Sequence, residues 1–93
     1  LRAAAMQNGV FVVAPNKGGI EQTEGDRPFF GNSVVFNPMG ELMEKGPSRE
    51  GPATFFVTLD LNEVYQHGKR YTFFRDRRPE LYGSLGDVYK HLY

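Results

Sequence analysis

Ninety-three residues, with eleven Lys+Arg set against eleven Asp+Glu, make one small domain that carries no net charge. At 40% hydrophobic and 14% aromatic residues, the chain is neither disordered nor collagen-like. Charge balance removes any global field towards nucleic acid or an anionic membrane, and the lack of cysteine removes disulfides, thiolate nucleophiles and zinc–thiolate sites.

A chain of this size buries only about 60–65% of the surface its unfolded form exposes, so a thin core is expected. No apolar run approaches the ~20 residues of a membrane span, and no basic-then-apolar leader opens the sequence. The expectation is a soluble, cytoplasmic protein with no membrane partner.

The first element is "LRAAAMQNG", an alanine-rich helix stopped by Asn8-Gly9, a natural C-terminal cap. Nothing with a capping side chain precedes it, so the chain is expected to begin inside a helix, as a truncated one would. "VFVVA", Val10 to Ala14, is apolar throughout and β-branched, which predicts a strand covered on both faces. Pro15 and "NKGG" end it, and Glu21 to Pro28 read as an exposed loop.

"SVVFNPMGELME" predicts a hairpin. A strand from Ser33 meets a type I turn, with Asn37 first, Pro38 second and Gly40 fourth, and returns through Leu42 and Met43. Lys45 to Pro52 is a further loop. "ATFFVTLDL" predicts a third strand, and Asp60 with Glu63 has the spacing of a capping box, starting a helix at Leu61 that runs to about Gly68–Tyr71. The order is helix, strand, hairpin, strand, helix and tail, in a single unit over 1–93.

Few of these residues invite chemistry. His67 and His91 lie far apart without a carboxylate cluster, so no metal site is expected. "NKGGI" lacks both the Walker spacing and GxGxxG and reads as a glycine turn. Ser33, Ser48 and Ser84 lack the GxSxG setting and a nearby histidine and acid. Between Lys69 and Arg78 five basic residues stand against one acid, with Tyr71, Phe73 and Phe74 interleaved, a pattern able to bind phosphates and stack bases. Internal pairing of "RDRR" and packing of the two phenylalanines is the favoured alternative.

Taken together, "RAAAMQNGVFVVAPNKGG", "FFGNSVVFNPMGELME", "FVTLDLNEV" and "FFRDRRPELYG" resemble, in order and spacing, the C-terminal third of the nitrilase superfamily, the carbon–nitrogen hydrolases. The last segment is most similar to the N-carbamoylputrescine amidase and N-carbamoyl amidase branch. The resemblance implies an α/β fold, part of an α-β-β-α sandwich, with residues 1–72 in the sandwich and 73–93 as a C-terminal tail. It further implies a Cys-Glu-Lys triad upstream of the matched region, hence no catalytic residue, cofactor or metal in this chain and no activity alone.

By the same resemblance, Asn16, Lys17, Gly18, Gly19, Phe29, Phe30, Asn32 and Ser33 lie at the rim of the substrate pocket, with Lys17 where many relatives have arginine. Phe73, Phe74, Arg75, Arg77, Arg78 and Tyr82 form an oligomer interface. The partner is either a second copy of the chain or the missing N-terminal part, and not nucleic acid. Half a sandwich exposes an apolar face, so self-association is expected to complete it.

Overall fold

The computed structural model describes residues 1–21, 25, 27–48 and 52–86. Helix α1 (Arg2–Asn8) is followed by strands β1 (Val12–Ala14), β2 (Gly18–Glu21), β3 (Arg27–Phe30), β4 (Val34–Phe36) and β5 (Leu42–Lys45). Helix α2 (Asn62–Arg70) and two 3₁₀ turns, Pro79–Leu81 and Gly83–Gly86, complete the described chain. His91 and the rest of 87–93 lie outside the described residues, as do 49–51 of the loop expected over 45–52.

Helix α1 ends where its sequence says it should. Gly9 sits in the left-handed region (φ 64°, ψ 41°), its amide donating to the Met6 carbonyl at 3.3 Å while Val10 N–H reaches the Ala5 carbonyl at 3.1 Å. These two bonds form a Schellman cap, which satisfies carbonyls the helix would otherwise leave open.

The β4–β5 hairpin also follows its turn chemistry. Gly40 N–H donates to the Asn37 carbonyl at 2.9 Å, and Asn37 Oδ1 accepts from the amides of Met39 and Glu41 at 3.0 and 2.9 Å. Gly40 takes φ 77°, and a Cβ there would come within 3.1 Å of Arg2 Cγ and 3.2 Å of the Arg2 carbonyl. The turn is thus clamped from inside by asparagine and pressed from outside by α1. Pairing then slips by one residue between Val35 and Phe36, a β-bulge.

Strand β1 pairs antiparallel with β4, giving a three-stranded sheet in the order β1-β4-β5. Ala5 and Val35 are the buried hydrophobic residues among those described, with Pro38 fully buried beside the hairpin turn. Arg2 lays its guanidinium 5.6 Å from the Phe36 ring and ties α1 to this sheet.

Four expectations are corrected. The strand predicted over Val10–Ala14 covers only Val12–Ala14, and Val13 is 59% exposed, because the described chain supplies a covering layer on one side only. The segment read as a turn and loop contains a second sheet: β2 and β3 pair antiparallel, Gly18 opposite Phe30 and Glu21 opposite Arg27. Two adjacent glycines disfavour a strand by propensity, and cross-strand pairing overrides that preference. "ATFFVTLDL" forms no strand and joins neither sheet, and Phe56 is 90% exposed, since a strand needs a partner's edge as well as propensity. Finally, α2 starts one residue late. The Asp60 carboxylate accepts from the Asn62 amide at 3.0 Å, whereas Glu63 N–H goes to the Asp60 carbonyl.

The molecule is a mixed α/β slab of 53 × 41 × 15 Å with a radius of gyration of 18.9 Å. A compact 93-residue domain has a radius near ~12 Å. A thickness of 15 Å accommodates a sheet and one covering layer, well short of the four layers of an α-β-β-α sandwich.

Candidate functional site

Gly31 and Asn32 carry positive φ values in succession, 66° and 56°. That pair turns the chain out of the β2–β3 sheet and delivers β4 to the other one. At the turn three segments converge. Gly31 N–H donates to the Lys17 carbonyl at 3.0 Å, Asn32 N–H to the Pro47 carbonyl at 3.1 Å, and Gly46 N–H to the Ser33 carbonyl at 2.7 Å.

Side chains lock the junction further. Asn16 Nδ2 donates to the Gly31 carbonyl at 2.7 Å, and the Asn16 amide donates to Ser33 Oγ at 2.8 Å. Ser33 Oγ returns a longer bond to the Asn16 carbonyl at 3.4 Å. The Ser33 hydroxyl is therefore engaged on both sides. Asn32 Oδ1 is buried and has no hydrogen-bond partner.

A cleft of about 310 Å³ opens over this junction. Its polar floor comes from Asn16, Gly18, Gly31 and Ser33, and Pro47, Pro52, Ala53 and Phe55 make an apolar wall. Lys17 stands at its edge as the charged residue of the described lining. The Lys17 ammonium lies 4.5 Å from the centre of the Phe29 ring, a cation–π contact that fixes where the charge sits.

Of the expected rim residues, Asn16, Lys17, Gly18 and Ser33 line this cleft. Phe29 touches it through Lys17, and Asn32 lies beneath the junction. Gly19 and Phe30 belong to the β2–β3 ladder, with Phe30 largely exposed, and neither lines the cleft. Gly31 falls inside the expected segment from Phe29 to Ser33, whereas Gly46, Pro47, Pro52, Ala53 and Phe55 were not expected at the site. The Gly31-Asn32 dipeptide is a recognised turn signal and could have placed the kink. Nothing local predicts that Gly46 and Pro47 come to meet it.

His67, 4% exposed, is the buried polar residue among those described. Its ring lies 5.1 Å from Tyr71 and 6.4 Å from Phe73, and its Nε2 has no partner. A Cβ on Gly9 would come within 2.6 Å of its Nδ1, so the imidazole packs directly on the α1 cap. Among the described residues no group of three or more His, Cys, Asp or Glu could hold a metal, and no helix is long and apolar enough to cross a membrane.

The tail folds on itself. Asp76 N–H closes a turn on the Thr72 carbonyl at 2.9 Å. The Thr72 hydroxyl donates to Asp76 Oδ2 at 2.5 Å, and Arg75 Nε donates to Asp76 Oδ1 at 3.0 Å. These bonds, the Thr72 hydroxyl first, hold the Asp76 carboxyl below its ordinary value. Arg78 Nε does the same to Glu80, which it meets at 2.5 Å. Arg77 stacks 5.5 Å from the Phe74 ring and donates to the Phe74 carbonyl at 3.0 Å, while Arg78 N–H donates to Tyr82 Oη at 3.3 Å. The expectation that Phe73 and Phe74 fill a core is corrected: both remain about half exposed, because no second layer of the described chain reaches them.

Comparison with known proteins decides the family. The carbon-nitrogen hydrolase family profile matches residues 1–69. The chain belongs to this family. Hydrolase relatives include the deaminated glutathione amidase of Bos taurus, 36% identical over 86 residues, a match covering 92% of this chain and 25% of that protein. The "Hydrolase in agr operon" of Staphylococcus aureus is 34% identical over 82 residues, covering 88% of this chain and 30% of its own. The N-carbamoylputrescine amidase of Oryza sativa subsp. japonica is 32% identical over 90 residues, with 91% and 30% covered. In structure, a carbon-nitrogen hydrolase from Helicobacter pylori G27 superposes with a TM-score of 0.76 at 30% identity, over 95% of this chain and 31% of that one. The chain thus spans between a quarter and a third of the length of these relatives.

Proposed function

We propose that this chain is the C-terminal portion of a carbon–nitrogen hydrolase of the amidase or N-carbamoyl amidase type, inactive alone, whose Cys-Glu-Lys triad lies upstream. The observation that carries the reading is a family match over residues 1–69 of a chain that contains no cysteine. In the complete enzyme the cysteine thiolate attacks the amide carbonyl carbon and the lysine stabilises the oxyanion. The glutamate passes the proton to the leaving amine, and water then cleaves the thioester.

This chain's contribution is the cleft at the convergence of 16–18, 31–33 and 46–47, set on the pocket rim by the pinned Asn16 and Ser33. Both substrate chemistries named by its relatives, deaminated glutathione and N-carbamoylputrescine, belong on the first assay panel. Purified 93-residue chain is expected to release no ammonia from either, or from simple aliphatic amides. Ammonia release by the chain alone would overturn the reading.

A second reading, a self-associating module without catalytic work, is favoured by one observation: Val13 and Phe56 present large apolar side chains to solvent. A monodisperse monomer by sedimentation would count against this second reading. Nucleic-acid binding by Lys69 to Arg78 is disfavoured, since Arg75 and Arg78 are occupied by Asp76 and Glu80. A salt-dependent shift with single-stranded RNA, lost on Arg77→Ala with Arg78→Ala, would restore it.

A further inference from the structure

We propose that Asn8 is a self-modification site: its side-chain amide is lost to attack by the Gly9 backbone nitrogen, and the product uncouples α1 from α2. Neither half rests on the hydrolase reading.

The chain contains a single Asn-Gly pair, Asn8-Gly9. Its other asparagines precede Lys17, Ser33, Pro38 and Glu63, which either shield their own nitrogen with a side chain or, in proline, have no N–H to lose. Glycine has no Cβ, so the approach of its nitrogen to Asn8 Cγ is sterically open. In the reaction a base takes the Gly9 amide proton and the nitrogen bonds to Asn8 Cγ. The Cγ–Nδ2 bond breaks, Nδ2 takes up a proton and leaves as ammonia, and a cyclic succinimide remains. Water opens that ring at either carbonyl, giving aspartate or isoaspartate in place of Asn8.

The folded cap holds both reacting groups back. Asn8 Nδ2 donates to the Ala4 carbonyl at 2.9 Å, which ties the carboxamide back along the helix. Gly9 is buried, and its N–H is engaged by the Met6 carbonyl at 3.3 Å. These restraints are shallow. Helix α1 is seven residues long with Asn8 exposed at its last position, and the end of so short a helix opens at small cost. The reaction therefore proceeds through the opened cap.

Isoaspartate does not fit the closed one. The backbone gains a methylene just before Gly9, so the bonds from Gly9 N–H to Met6 and from Val10 N–H to Ala5 lose their spacing. A carboxylate replaces the amide at the C-terminal end of α1, where the helix dipole disfavours negative charge. Gly9 also sits so close to His67 that a Cβ on it would meet Nδ1 at 2.6 Å. Displacing Gly9 therefore uncovers an imidazole that is otherwise 4% exposed. Because ammonia departs, the change is one-way.

The full 93-residue chain and the peptide RAAAMQNGVFV, too short to hold a helix, are incubated side by side at neutral pH and digested, and isoaspartate is quantified by chromatography with mass spectrometry. Product is expected at Asn8 and at no other asparagine, forming about tenfold or more slowly in the chain than in the peptide. Ala4→Gly keeps the carbonyl that receives Asn8 but favours fraying, and should speed the reaction in the chain about two- to fivefold. In the isoaspartyl chain, separated by ion exchange, the His67 ring signals in NMR should shift and Gly9 and Val10 amide exchange should quicken about tenfold or more. Asn8→Asp, which adds the charge without the methylene, should move them far less. Absence of product at Asn8, equal rates in chain and peptide, no response to Ala4→Gly, or unchanged His67 signals in the isoaspartyl chain would each overturn the proposal. The reaction needs no substrate, so a substrate-free blank separates its ammonia from any turnover by the chain.

Discussion

Replacing Gly9 by alanine tests how α1 is joined to α2. Two costs arise at one atom. An L-residue at φ 64° pays about 1–2 kcal/mol for the left-handed conformation. The new Cβ also meets His67 Nδ1 at 2.6 Å and Cε1 at 3.1 Å. The ring has little room to swing away, being buried and flanked by Tyr71 and Phe73, so overpacking adds about 1–3 kcal/mol. The sum is about 2–5 kcal/mol, against a whole-domain stability of about 5–14 kcal/mol at this length. Urea unfolding followed by circular dichroism, at fixed protein concentration, measures it. In a His67→Ala background the steric part should vanish and Gly9→Ala should cost only about 1–2 kcal/mol. A cost below about 0.5 kcal/mol, or the same cost in both backgrounds, would refute the contact.

Asn37→Ala removes the acceptor for two turn amides and should destabilise by about 1–2 kcal/mol in the same assay, whereas Asn37→Asp should stay within about 0.5 kcal/mol. The tail gives a pH prediction. Asp76 titrates below its ordinary value when folded, so its stabilising contribution is present above the unfolded carboxylate range and fades as pH falls through the lowered folded value. Thr72→Val should move the Asp76 titration, followed by carboxyl NMR, back up towards the ordinary value. An unchanged midpoint would show that the hydroxyl is not the main cause. Phe56→Ser, at a side chain 90% exposed, should leave single-chain stability within about 0.5 kcal/mol and shift the sedimentation profile towards smaller species.

Legibility of the fold in the sequence followed the range of the forces involved. Gly9 and Asn37 announce themselves because their work is done within a few residues: a left-handed cap and an asparagine turn need no distant partner. The β2–β3 ladder was not visible, since Gly18 and Gly19 argue locally for a turn and only pairing with Phe29 and Phe30 makes them a strand. "ATFFVTLDL" errs in the opposite direction, with strong strand propensity and no edge to join. For the candidate site, Asn16 to Gly18 and Ser33 were located through a resemblance to relatives. The Pro47 carbonyl that receives Asn32, and the Ser33 carbonyl that receives Gly46, are meetings set by tertiary geometry, on which no local pattern reports.

A slab 15 Å thick, in which Ala5, Val35 and Pro38 are the enclosed apolar residues among those described, leaves large hydrophobic side chains such as Val13 and Phe56 open to solvent. Whatever binds its open face only when the chain is folded adds RT ln(1 + [L]/Kd) to its stability. On the proposal that the chain self-associates, its melting temperature rises with its own concentration and falls on dilution. On that proposal, folding and assembly become a single equilibrium, and a melting temperature independent of concentration would refute it.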